Sequence, residues 1–270
     1  MSLPSLHGLH RPLGQTGLTV SPLGLGTVKF GRDQGVKYPN GFTIPDDQQV
    51  EALLRQAQQL GINLLDTAPA YGHSETRLGP LLRGQRDQWV IVSKVGEEFE
   101  HNQSRFDFSA EHTRYSVERS LRRLETDCID LVLVHSDGND LYILEQTAVY
   151  ETLARLKDEG KLRAYGFSGK TVAGGIKALE HGDCAMVTYN LNDQAEGPVI
   201  EYAASQGKGL LVKKALASGH ACQLPGVDPV RASFEALFTQ PGVTAAIVGT
   251  INPVHLAHNV ATAAAVLRKR

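Results

Sequence analysis

The run Ile129-Asp-Leu-Val-Leu-Val-His135 is apolar almost without a break and ends in a histidine. A strand with one wet face would alternate, so this pattern predicts a parallel strand covered on both sides. Upstream, Ser109–Leu124 reads as a helix, with Ser109 as N-cap and Val117, Leu121 and Leu124 on one face. Downstream, Leu141–Glu159 reads as another, stopped by Gly160. The same alternation continues in both directions. Further strand-like runs are Leu23–Thr27, Asn63–Thr67, Trp89–Lys94, Ala164–Ser168, Met186–Asn190, Gly209–Lys213 and Ala245–Gly249. Helical periodicity spans Asp46–Leu60, which stops at Gly61, and Pro253–Leu267, which opens with proline after Asn252.

Repeated strand-then-helix units make either an open doubly wound sheet or a closed barrel. An even set of eight at about 30 residues each predicts the α/β class and a (β/α)8 TIM barrel. Arg11–Val20, turning at Gln15-Thr-Gly17, reads as a β-hairpin ahead of the first strand. With no Pro/Gly/Ser linker and no low-complexity tract, residues 1–270 are expected to be a single domain.

Composition narrows the partners. Lys and Arg number 27 against 29 Asp and Glu, and no basic block interrupts the chain before Arg268-Lys-Arg270, so neither nucleic acid nor a membrane surface is expected as a partner. Cys128, Cys184 and Cys222 are far apart and in no metal or redox spacing, which suits a reducing compartment. The N-terminus lacks the apolar stretch of a signal peptide, and a cytoplasmic protein is expected. His255 and His258 share a helix face without a third ligand, so no metal is expected.

Chemistry in such a barrel gathers where the strands end. Here three apolar runs end in Asp66, Lys94 and His135, and Tyr71 follows Asp66 on the next loop. Each alone has a plain structural use: a helix cap, a surface lysine, a core histidine. Their convergence on one rim points instead to a proton-handling cluster.

The stretch Gly61-Ile-Asn-Leu-Leu-Asp-Thr-Ala-Pro-Ala-Tyr-Gly-His-Ser-Glu75 resembles the signature of the aldo-keto reductase family. Leu23–Thr27, Val90–Val95, Ser116–His135, Leu156–Ser168 and Ile247–Thr250 leading to Asn259 extend the resemblance from about Arg11 to Asn259. The resemblance implies a soluble NAD(P)H-dependent oxidoreductase that reduces small aldehydes or ketones, with Asp66, Tyr71, Lys94 and His135 as the catalytic set. Tyr71 would give the proton, its phenol made more acidic by the Lys94 ammonium. Asp66 would keep that ammonium charged, and a neutral His135 would donate to the carbonyl oxygen. A cofactor-binding regulatory subunit, like the potassium-channel β-subunits, is the alternative use of the same fold.

For the cofactor, the resemblance implies contacts from Thr27, Asp66 and Ser168, from Leu216 and Ser218 at the pyrophosphate, and from Gly249, Thr250, His255 and Asn259 at the adenosine end. The sequence departs from the family pattern in three places. Gly169 stands for an asparagine, Met186 for a glutamine, and Lys213 for an aromatic ring; with Lys214, Lys213 is expected beside the diphosphate. No arginine stands where NADPH-preferring relatives clamp the 2′-phosphate; the family resemblance implies NADPH as cofactor, with NADH as the alternative. Specificity loops are expected at Val95–Phe108, Ser136–Tyr142 and Ala215–Asp228.

Overall fold

A computed structural model describes residues 4–36, 38, 41–219 and 228–269. The N-terminal hairpin is present: β1 (Arg11–Pro12) pairs antiparallel with β2 (Thr19–Val20). Then come β3 (Leu23–Gly26), α1 (Asp47–Gln59), β4 (Leu64–Asp66), α2 (Ser74–Leu81) and β5 (Val90–Val95). A second hairpin, β6 (Glu97–Glu100) and β7 (Gln103–Phe106), precedes α3 (Ala110–Arg123) and β8 (Ile129–His135). The chain continues through α4 (Asp140–Gln146), α5 (Val149–Asp158), β9 (Leu162–Ser168), α6 (Val172–His181) and β10 (Cys184–Thr188). It ends with α7 (Gly197–Ser205), β11 (Gly209–Lys213), α8 (Pro229–Phe238), β12 (Ala245–Val248) and α9 (Pro253–Leu267).

The parallel strands β3, β4, β5, β8, β9, β10, β11 and β12 close on one another, β12 pairing back onto β3, so the fold is the expected (β/α)8 barrel. Helix ends obey the local chemistry of the sequence. Asp46 and Gln49 form a reciprocal capping box at α1, Ser109 accepts from the His112 amide at α3, and Asn252 caps α9 behind Pro253. Two layers of apolar side chains hold the ring. Outward residues such as Ile91, Val132, Phe167 and Val212 meet the helices. Inward residues Leu64, Val92, Leu133, Met186 and Leu211 fill the barrel together with Leu13, Leu18 and Val20 of the first hairpin. Gly14 lies against the backbone of Lys208 and Gly209, where β11 begins. The hairpin therefore plugs the end at which the strands start, leaving the opposite rim for chemistry.

Three boundaries differ from expectation. Leu141–Glu159 is two helices, broken where Thr147 turns extended (φ −121°, ψ 161°) while its hydroxyl donates to the Ile143 carbonyl at 2.6 Å. A β-branched hydroxyl residue competes for helical carbonyls in this way. The sixth barrel strand covers Cys184–Thr188 rather than Met186–Asn190, because Cys184 already pairs with Gly166 and Asn190 turns away to bridge Asp193. Residues expected as one specificity loop after Lys94 form the ordered hairpin β6–β7. Of Ala215–Asp228, residues 220–227, Cys222 among them, lie outside the described residues. No helix among the described residues is long and apolar enough to cross a membrane.

Candidate active site

The ends of β4, β5 and β8 bring Asp66, Lys94 and His135 to the same rim, and the loop after β4 returns Tyr71 to it. Lys94 and Asp66 are both almost wholly buried; the Lys94 Nζ donates to Asp66 Oδ1 at 2.5 Å and to the Thr67 carbonyl at 2.9 Å. Burying two charges is costly unless each is paired and hydrogen-bonded, which this arrangement supplies. The Tyr71 hydroxyl donates to the other oxygen of Asp66 at 3.5 Å, and the Lys94 ammonium stands 4.8 Å from the centre of the Tyr71 ring. Asp66 is thus shared between cation and phenol. Thr27 is spent on holding this strand end, since its amide and its hydroxyl both reach the Asp66 carbonyl at 2.9 Å.

The proton affinity of Tyr71 runs opposite to expectation. Burial first, then the negative charges of Asp66 and Glu97, push its pKa well above the ordinary phenol value. The carboxylate that neutralises Lys94 is also the one hydrogen-bonded to the phenol, so the ammonium is not free to favour a phenolate.

His135 reaches the group differently. It lies in register with Ser168 across β8 and β9, and 22% of its side chain remains exposed. Its Nδ1 sits 2.6 Å from Glu97 Oε2, off the direction of the ring N–H, which leaves Nδ1 without a well-aligned hydrogen bond. Burial lowers the His135 pKa; Glu97 opposes this, while Lys94 and Lys213 add to it. At neutral pH the ring is uncharged. Glu97 itself is held ionised, its pKa lowered to about 2: burial resists this, but contacts with His135, the Ser104 hydroxyl at 2.6 Å and the Arg32 guanidinium prevail. In the sequence Glu97 falls within the expected specificity loop Val95–Phe108, where nothing sets it apart from its neighbours Glu98 and Glu100. Its position three residues past Lys94 was the available signal.

Around the rim, Ser168 is buried, and the Lys213 Nζ donates to its hydroxyl at 2.9 Å and to the Gly169 carbonyl at 2.7 Å. Burial lowers the Lys213 pKa to about 8. Met186, buried in the barrel interior, pairs in register with Ser168. Beyond Lys213 the chain takes left-handed conformations at Lys214 (φ 56°), Ala217 (φ 49°) and Ser218 (φ 54°), with Leu216 between them partly buried. Such backbone strain in non-glycine residues persists where surroundings impose it. A Cβ on Gly249 would lie 3.0 Å from the Tyr38 hydroxyl. Thr250 and Asn259 are buried, whereas His255 is exposed on the first turn of α9. Asn252 already accepts from the amides of Val254 and His255, so those two donors of the helix start are occupied.

A closed parallel barrel carries a buried lysine–aspartate pair and a tyrosine together at its strand ends. The model of the aldo/keto reductase family matches residues 22–223, and the chain belongs to that family. It is 33% identical over 223 residues to L-galactose dehydrogenase of Arabidopsis thaliana, a match covering 77% of this chain and 66% of that protein. The NADH-specific methylglyoxal reductase of Escherichia coli is 33% identical over 199 residues, 68% of this chain and 60% of that one. The matched stretches thus span less than two thirds of these relatives. A crystal structure of a proposed aldo-keto reductase from Pseudomonas aeruginosa superposes with TM-score 0.90 at 70% identity, covering 97% of this chain and 98% of the other. The holo form of an aldo-keto reductase from Bacillus halodurans shares the fold, with TM-score 0.79 at 24% identity over 96% of this chain and 95% of that one.

Proposed function

We propose that this protein is an NAD(P)H-dependent oxidoreductase that reduces aldehydes or ketones to alcohols, with Tyr71 as proton donor. The observation that carries this reading is the chain from Lys94 through Asp66 to the Tyr71 hydroxyl, a buried cation and carboxylate holding a phenol at an open barrel rim. A phenol whose pKa is pushed up stays protonated through the whole neutral range. It remains able to give that proton to an alkoxide, which is a far stronger base than a phenolate.

A nicotinamide dinucleotide fits the neighbouring side chains. Ser168 and the Gly169 carbonyl present polar atoms beside the Lys213 cation, and the missing side chain of Gly249 leaves room against Tyr38. When bound, the cofactor supplies the hydride. Thr27, Asp66, Ser168, Met186, Lys213, Lys214, Leu216, Ser218, Gly249, Thr250, His255 and Asn259 are the residues proposed to hold it. Lys213 gives charge for the diphosphate below pH about 8. NADPH is the proposed cofactor and NADH the alternative.

The test follows cofactor oxidation with each dinucleotide against a panel of aldehydes, ketones, 2-oxoaldehydes and sugars. The last two classes are chosen because relatives are named for methylglyoxal and L-galactose. Turnover abolished by Tyr71→Phe is expected; tight cofactor binding without turnover on any carbonyl would refute the reading in favour of a regulatory subunit.

A further inference from the structure

The contact between Glu97 and His135 has a consequence for how the site handles protons. The Nδ1 and Oε2 atoms are 2.6 Å apart, and Glu97 is anionic at any pH near neutrality. Even off axis, a bare Nδ1 lone pair 2.6 Å from a carboxylate oxygen is repelled by it whereas an N–H there is attracted, so the proton of a neutral ring belongs on Nδ1. Its other nitrogen, Nε2, is then a bare acceptor. A neutral His135 cannot donate to a carbonyl oxygen in this arrangement.

We propose that Glu97 is a positioning residue for the reaction: it fixes the Nδ1-protonated tautomer of His135, so that Nε2 offers a proton to the substrate oxygen only in the imidazolium form. The kinetic consequence rests on the reductase reading; the tautomer does not. Of Tyr71 and His135, only Tyr71 then offers a proton to the substrate oxygen at neutral pH, and His135 joins it as the medium becomes acidic. The charges facing the ring are Glu97 from β6, which favours imidazolium, and Lys94 from β5 and Lys213 from β11, which oppose it. Arg32 and Ser104 in turn hold Glu97. Among the described residues Glu97 is the negative group that touches the ring, and it sets the pH at which the second donor appears. An opposite charge this near typically moves a titration by about 1–3 pH units.

The experiment is nitrogen-15 NMR of the histidine rings in the full-length chain, with His135 identified by the signal missing from His135→Gln. At pH 8 the wild type is expected to carry its proton on Nδ1. Glu97→Leu should move it toward Nε2. Glu97→Gln, nearly isosteric, should lower the titration of His135 by about 1–3 pH units, and the acid rise in kcat/KM for carbonyl reduction by the same amount. Glu97→Asp should restore much of both. A wild-type ring protonated on Nε2, or a titration unmoved in Glu97→Gln, overturns the assignment, and should Glu97→Leu fail to fold, the isosteric variant carries the test alone. The expected NMR changes in a chain that reduces no carbonyl would instead overturn the reductase reading.

Discussion

Replacing Lys94 by Met strands a charge where water cannot reach it. The wild-type ammonium is 2% exposed and its carboxylate partner 6%, joined at 2.5 Å, with the Thr67 carbonyl as the second acceptor. Removing one partner of a buried pair typically costs about 3–5 kcal/mol, because the remaining charge keeps its desolvation penalty and loses its compensation. Exposed pairs such as Arg55–Glu51, by contrast, contribute about 0–1 kcal/mol. For a chain of this size the Lys94→Met loss corresponds to a fall in Tm of about 10 °C. Lys94→Met/Asp66→Asn removes both charges and should recover most of that loss while remaining inactive, since neither cation nor carboxylate is left to hold Tyr71. Protonation relieves the stranded carboxylate, so the cost of the single substitution should shrink as pH falls. Urea denaturation of wild type, both single variants and the double variant, each at two pH values, measures all of this. A loss below about 1 kcal/mol in Lys94→Met, the size of a surface pair, would refute the claim that the pair is sealed from solvent.

Tyr71→Phe removes a hydroxyl whose hydrogen bond, at 3.5 Å, is long. Its stability should therefore be near wild type, while kcat falls by at least about 100-fold with cofactor affinity retained; unchanged turnover in a steady-state assay would assign the proton to another group. Lys213 loses its charge as pH rises through about 8. Dinucleotide affinity, read by fluorescence titration, should drop by about tenfold between pH 7 and 9, the worth of one charged contact, and Lys213→Met should be flat over that range. His255 is exposed at the start of α9 and able to meet a 2′-phosphate, so the NADPH preference in kcat/KM should vanish in His255→Ala. A preference that survives the substitution would place the phosphate elsewhere.

The barrel was legible because a buried parallel strand leaves a nearly unmistakable apolar run, and Val90–Val95 and Ile129–His135 carry one each. Helices were legible where caps and apolar spacing coincide, as at Asp46 and Asn252. They were hidden where packing overrides propensity. Helix α6 carries Gly174-Gly175, poor helix formers, because a Cβ at Gly174 would lie 2.1 Å from that of Asp140 and one at Gly175 would press on Val199. The sequence therefore shows a glycine pair whose reason lies in neighbours 34 and 24 residues distant in the chain. Asp66, Lys94 and His135 stood out for a different reason: polar residues at the ends of apolar strands have few structural excuses, and Tyr71 follows Asp66 on the next loop. Glu97 did not stand out, since its role comes from a hairpin that folds it back onto a histidine in another strand.

The electrostatics of the rim follow from how its charges are shared. Asp66 serves Lys94 and Tyr71 at once, so the expected acidification of the phenol fails and its proton is held tightly instead. Glu97 faces His135 and draws on Arg32 and Ser104, so the histidine keeps an anionic neighbour at every working pH. Lys213 reaches neutral partners, Ser168 and the Gly169 carbonyl, and among the residues described it forms no ion pair within 4.0 Å. A partly buried cation bonded only to neutral atoms is the member of the set with attraction to spare. That is why Lys213, and not Lys94, is the lysine whose charge should be felt by an anionic ligand, and why the two substitutions should separate cleanly: Lys94→Met in stability and turnover, Lys213→Met in the pH dependence of cofactor affinity.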